Sequence, residues 1–167
     1  MNTDQGKFLL DLMLPVLEME SRTTRRVIAA VPDDRRDYRP DPRYMTAWDL
    51  AWHIVRSEVY LLGGVANGVY VKEDRGVPET VRTVGDVVAW YGAHLSDLVA
   101  QIRALPAERL AQPVELYRVF NWPAVTYIDF ALHHSVHHRG QLSTYLRPMG
   151  AKVPAIYGGS ADEPFTG

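Results

Sequence analysis

Four histidines fall within six residues of the stretch ALHHSVHHRGQLSTYL (131–146): His133, His134, His137 and His138. Imidazole serves both as a metal ligand and as an acid–base group near neutral pH. Two histidines four apart on a helix sit one turn apart and can reach a common ion. On an ideal helix His138 lies only about 40° round from His134. Tyr127, Phe130, Ala131, Gln141, Leu142 and Tyr145 fall within roughly 80° of that direction. This pair therefore borders the buried face. His133 sits squarely on a side that carries Thr126, Asp129, Gly140, Thr144 and Arg147. His137 lies between the two faces.

A pair alone does not define a metal site. Core histidines satisfied by neighbouring hydroxyls fit the same spacing. A third imidazole is offered by TAWDLAWHIVRSE (46–58), where His53 stands at the border of an apolar face beside Leu50, Ile54, Ser57 and Tyr60. If these two helices pack together, His53 approaches His134 and His138. Three neutral imidazoles leave coordination positions open, as a reactive centre requires. Such a donor set suits zinc, nickel, copper or iron(II) rather than magnesium or calcium. His94 is the remaining candidate ligand and the weaker one, because its face carries no second histidine. Ser57, Tyr60, Gln141 and Tyr145 fall near the three and could orient imidazole N–H groups, with ordinary packing as the simpler reading. Glu58 points well away from His53 and reads as helix surface. Arg139 reads as a solvent-facing residue or an anchor for a tail carboxylate such as Asp162.

Four long helical patterns must position these side chains. The first spans about Thr3 to Ala30, with Phe8, Leu9, Leu12, Val16, Met19, Thr23, Val27 and Ala30 as its stripe. Pro15 should bend or break it. The proline-rich loop 31–45 stops it. Thr46 with Asp49 starts the second helix, which continues to about Ala66 and carries Ala47, Leu50, Ile54, Leu61 and Val65 inward. Thr83 with Asp86 starts the third, which runs to Leu105 before Pro106. Its stripe is Val84, Val87, Val88, Tyr91, Leu95, Leu98 and Ile102. Val114 to Phe120 reads as a short extended piece. Asn121 should cap the fourth helix, with Pro123 in its first turn, and that helix continues to about Arg147. The tail 151–167 reads as loop. Residues 1–167 thus predict one all-α domain, a four-helix bundle with long inter-helix connections.

Composition narrows the function classes. The 167 residues are 47% apolar and 23% charged, with a formal net charge of −2. That balance gives no electrostatic case for nucleic acid or an anionic membrane. The arginines between Arg22 and Arg43 are diluted by Asp33, Asp34, Asp37 and Asp41. There are no cysteines, which removes disulfides, thiolate ligands and a cysteine nucleophile. No stretch approaches the roughly 20 apolar residues of a membrane span. The N-terminus lacks the features of a signal peptide. A cytoplasmic protein is the expectation.

These residues resemble a known family. TAWDLAWHIVRSE, followed downstream by HHSVHHRGQLSTYLRPMGAKVPAIYGGSAD, looks like the DinB-like superfamily, the damage-inducible DinB/YfiT-like proteins unrelated to the DNA polymerase of that name. The likeness covers nearly the whole chain, including the YRPDPRYMTAWDLAWHI entry to the second helix. It is most specific at H-x-x-x-H-R-G-Q, here His134, His138, Arg139, Gly140 and Gln141. The resemblance implies a DinB/YfiT-like four-helix bundle with a metal triad at His53, His134 and His138. It implies a zinc or nickel ion, with iron as an alternative, and a homodimer. It also implies thiol-dependent transferases or isomerases that use mycothiol, bacillithiol or glutathione as cosubstrate.

The chemistry follows from the ion. A divalent cation on three neutral ligands keeps its charge at the open positions. It lowers the pKa of a bound thiol, which is near 8.5 when free, and so favours thiolate at neutral pH. Because the chain has no cysteine, that thiol must be a small molecule. The expected partners are therefore a low-molecular-weight thiol and a small-molecule electrophile. Two other readings stay open: a metal-dependent hydrolase with water as nucleophile, and a non-catalytic metal-binding stress-response protein.

Overall fold

The computed structural model describes residues 1–72 and 76–165. Helix α1 (Thr3–Ala29) opens with a reciprocal cap, in which the Asn2 side chain accepts from the Gln5 backbone and the Gln5 side chain accepts from Asn2 N–H. Pro15 lies inside it without ending it. Helix α2 (Ala47–Asn67) starts at Thr46, whose hydroxyl accepts from Asp49 N–H. It ends at Gly68, where φ is +73°, a left-handed cap that favours glycine. Helix α3 (Val84–Arg103) starts with the Thr83–Asp86 capping box. Both start signals read from the sequence thus form real caps.

The next segment departs from expectation. A short helix α4 (Ala107–Ala111) leads into strand β1 (Pro113–Leu116), which pairs antiparallel with β2 (Phe120–Pro123). Asn121 and Pro123, expected to cap and open the last helix, are strand residues opposite Glu115 and Pro113. Helix α5 begins later, at Thr126, with no side-chain cap, and runs to Leu146. Backbone bonds outweigh the cap signal here. Ala124 N–H donates to Gln112 and Val125 N–H to Leu110, tying the α5 entrance to the end of α4. Phe120 and Trp122 pack with Tyr127 and Phe130 of α5, which anchors the hairpin to the bundle. The hairpin turn spans residues 117–119, with Tyr117 and Arg118 both at φ 56°.

The four long helices form the bundle: α2 packs on α5 and α3, while α1 packs on α5 and α3. A continuous apolar core runs between them. The expected inward residues of α2 are buried, and those of α3 are buried or half-buried. Helix α1 is different. Its buried side is Leu10, Leu14, Leu17, Ser21, Thr24, Val27 and Ile28, while Phe8, Leu12, Val16 and Met19 are exposed. Both sides of α1 recur at helical spacing, so periodicity alone could not select the inner one.

Among the described residues Glu20, Glu58 and Arg139 are charged and buried, and the last two depart from their reading as surface groups. Glu58 is buried and accepts hydrogen bonds from the Tyr91 hydroxyl at 2.7 Å and from Ser135. Arg139 is 1% exposed. It pairs with Glu20 of α1 at 2.6 Å and donates to the Tyr157 hydroxyl of the tail at 2.8 Å. Asp162, the tail carboxylate considered for Arg139, is bound by Arg147 instead. The described part of the tail, through 165, is without helix or strand, and the last two residues of the expected loop lie outside the described set. Among the described residues no helix is long and apolar enough to cross a membrane.

Candidate metal centre

The site is built where α2 and α5 pack. His53 stands in the second turn of α2, and His134 and His138 lie one turn apart in the middle of α5. One ligand atom from each of the three lies within 4.8 Å of the other two. The ring centroids are 4.9 Å apart for His53–His134, 4.5 Å for His53–His138 and 4.4 Å for His134–His138. Among the described residues no other trio of histidine or acidic side chains converges in this way. His133 is exposed and lies against Asp129. His137 is exposed beside the His138 ring. His94 stacks on Trp90 of its own helix.

The inward atoms can be identified. His53 Nε2 and His138 Nε2 face each other at 3.2 Å. Two nitrogens held tetrahedrally on one zinc at its usual bond length would be roughly 3.3 Å apart. The outward nitrogens have partners. His138 Nδ1 donates to Gln141 Oε1 at 2.7 Å, which leaves the Nε2 lone pair directed at His53. His53 Nδ1 lies 3.5 Å from the Ser57 hydroxyl, which is itself contacted by Arg56 at 3.3 Å. His134 Nδ1 is buried with no hydrogen-bond partner. The His134 ring is thus not held in a closed hydrogen-bond network, and a buried polar atom without a protein partner fits a site that takes a ligand.

The electrostatics favour neutral ligands. Burial pushes the His134 pKa down to about 4, with His138 and His53 adding to the shift. Burial also lowers that of His138, opposed by the bond to Gln141. Both rings are therefore deprotonated at neutral pH and available for coordination. The three side chains together can hold a metal ion.

A cavity adjoins this centre. It has a volume of about 570 Å³, lies against His138 and is lined by Tyr44, Met45, Leu50, Gln141, Thr144 and Tyr145, among others. Its outer wall comes from the loop before α2. Gln141 thus faces both the imidazole and the cavity. On α2, two turns beyond His53, the Tyr60 ring stacks on Tyr117 of the hairpin turn with centroids 6.2 Å apart. The sequence offered no sign of Tyr117, because its contact depends on a hairpin that pattern reading did not resolve.

The same architecture occurs in solved proteins. A DinB-like protein from Bacillus cereus superposes with a TM-score of 0.73 at 21% identity, over 87% of this chain and 95% of its own. The mycothiol-dependent maleylpyruvate isomerase superposes with a TM-score of 0.57 at 12% identity, over 87% of this chain and 64% of its own. At such identities the likeness is one of fold. By sequence, the Bacillus subtilis protein YrdA is 23% identical over 159 residues, covering 92% of this chain and 91% of its own. The sequence pattern of the DinB family matches residues 1–164, so this chain belongs to the DinB family.

Proposed function

We propose that the protein is a metal-dependent transferase or isomerase that uses a low-molecular-weight thiol, such as mycothiol or bacillithiol, to attack a small-molecule electrophile. The observation that carries the reading is the convergence of His53, His134 and His138 within 4.8 Å. All three donors are neutral. A divalent ion held by these three side chains would supply Lewis acidity, which lowers the pKa of a thiol and favours thiolate at neutral pH.

The chain's own residues do the positioning. Gln141 fixes the His138 tautomer by accepting a hydrogen bond from its Nδ1–H, and the Ser57 hydroxyl lies 3.5 Å from His53 Nδ1. Tyr44, Met45, Leu50 and Tyr145 give the adjacent cavity an apolar lining suited to an organic substrate. The thiol is external because the chain has no cysteine. A structural neighbour of like fold is named as a mycothiol-dependent isomerase, which supports this reading.

The test is a panel of electrophiles incubated with protein, with and without mycothiol, bacillithiol or glutathione, before and after chelation. Consumption that requires both thiol and metal is expected. Metal-dependent ester or amide turnover without any thiol would replace this reading with hydrolysis. No turnover of any substrate by fully metallated protein would count against catalysis.

A further inference from the structure

A cleft of about 440 Å³ opens between α1 and α3. The bundle's contacts place this helix pair opposite the α2–α5 pair that carries the three histidines. The volume falls within the roughly 300–1,000 Å³ of small-molecule sites. Arg22 and Arg25 of α1 and Arg103 of α3 line it, against a single carboxylate, Glu18. Glu18, Arg22 and Arg25 share one side of α1 within about 60° of arc. Across from them Gly92 and Ser96 keep the α3 wall low, and the buried Leu95 and Val99 form an apolar floor.

The one carboxylate is already taken. Glu18 binds Arg103 at 2.7 Å, and among the described residues no carboxylate pairs with Arg22 or Arg25. The acids that follow these arginines in the sequence are engaged elsewhere: Asp33 accepts from Val84 N–H and Asp41 pairs with Arg43. Arg25 is half-buried, where a cation without a counterion is costly. Its guanidinium lies along Gly92, and a Cβ built there would stand 3.4 Å from Nη1. The glycine thus clears the space in which Arg25 reaches across α3. We propose that this cleft binds a small phosphomonoester. Three guanidinium groups less one carboxylate leave a formal charge of +2 in the lining, and a phosphomonoester carries nearly two negative charges at neutral pH. Guanidinium forks match phosphate oxygens. Arg22 and Arg25, one turn apart, hold the phosphate, and its organic stem lies over Leu95 and Val99. The cleft shares no residue with the metal centre.

Calorimetric titration of the full chain with phenyl phosphate, at fixed ionic strength, tests this. One saturable site with a Kd of about 0.1–1 mM is expected. Inorganic phosphate, which lacks the stem, should bind about fivefold more weakly or worse. Arg22→Gln and Arg25→Gln should each cost about tenfold in affinity. Gly92→Leu fills the cleft and should abolish binding with unchanged circular dichroism. His134→Ala should bind as the parent does. No saturable binding below about 10 mM overturns the proposal. So do arginine or Gly92→Leu variants that bind like the parent. Loss of binding in His134→Ala would move the anion to the metal centre and overturn it as well. Equal affinity for inorganic phosphate would assign the cleft to the free ion and overturn the ester.

Discussion

His133 and His134 are adjacent in the chain and differ in every physical respect. One is exposed against Asp129. The other is buried enough to hold its pKa near 4 and keeps an unpartnered nitrogen. That difference was legible from helical geometry alone, since about 100° of rotation separates solvent from the bundle interior. The role of Gln141 was only half legible. Its position three residues after His138 suggested proximity, but the 2.7 Å bond to Nδ1 depends on rotamers that a sequence does not give. Outer partners of this kind tune metal affinity by fixing the ring. Gln141→Ala should therefore weaken metal binding by about 10- to 100-fold in a chelator competition assay, while His137→Ala leaves it unchanged. Equal affinities for Gln141→Ala and the parent would remove Gln141 from the site.

At the scale of elements, helix starts were the most legible feature. Thr46 and Thr83 cap as expected because each hydroxyl accepts from the backbone N–H three residues on, at Asp49 and Asp86, a purely local partner. The start of α5 was not legible. Asn121 and Pro123 carry strong local signals, yet a two-stranded ladder with a distant segment takes both residues. Glu58 shows the same limit. A glutamate in a helix is usually solvated, and only the meeting of α2, α3 and α5 reveals Tyr91 and Ser135 as its partners. Burial, the dominant cause, pushes its pKa from 4.5 up to about 7, against the pull of those hydrogen bonds. The folded state thus holds a proton that the unfolded chain releases, and stability declines as pH rises from about 4.5 to about 7. Glu58→Gln removes that decline. Between pH 4.5 and pH 8 the unfolding free energy of the variant relative to the parent should shift in its favour by about 1–3 kcal/mol. Parallel stability curves for the two proteins would show that Glu58 is ionised in the fold.

At the scale of the whole molecule, four long amphipathic stretches without a second strand-rich region were enough to predict the bundle. Which sides of the helices meet was less certain. Helix α2 is apolar on one side and was oriented correctly. Helix α1 is apolar on two, so its inner face emerged only from packing against α3 and α5. The Arg139–Glu20–Tyr157 cluster then ties α5, α1 and the tail together across that packing. A buried guanidinium of this kind has no periodic signature. The bundle's main consequence is chemical, because only the contact of α2 with α5 brings His53 to the other two imidazoles. Elemental analysis of protein purified without nickel chromatography tests this most directly, comparing the parent with His53→Ala, His134→Ala, His138→Ala and His133→Ala. The account predicts about one transition-metal ion per chain in the parent and in His133→Ala, and less than about a tenth of that in the other three. Equal metal content in all five proteins would contradict it.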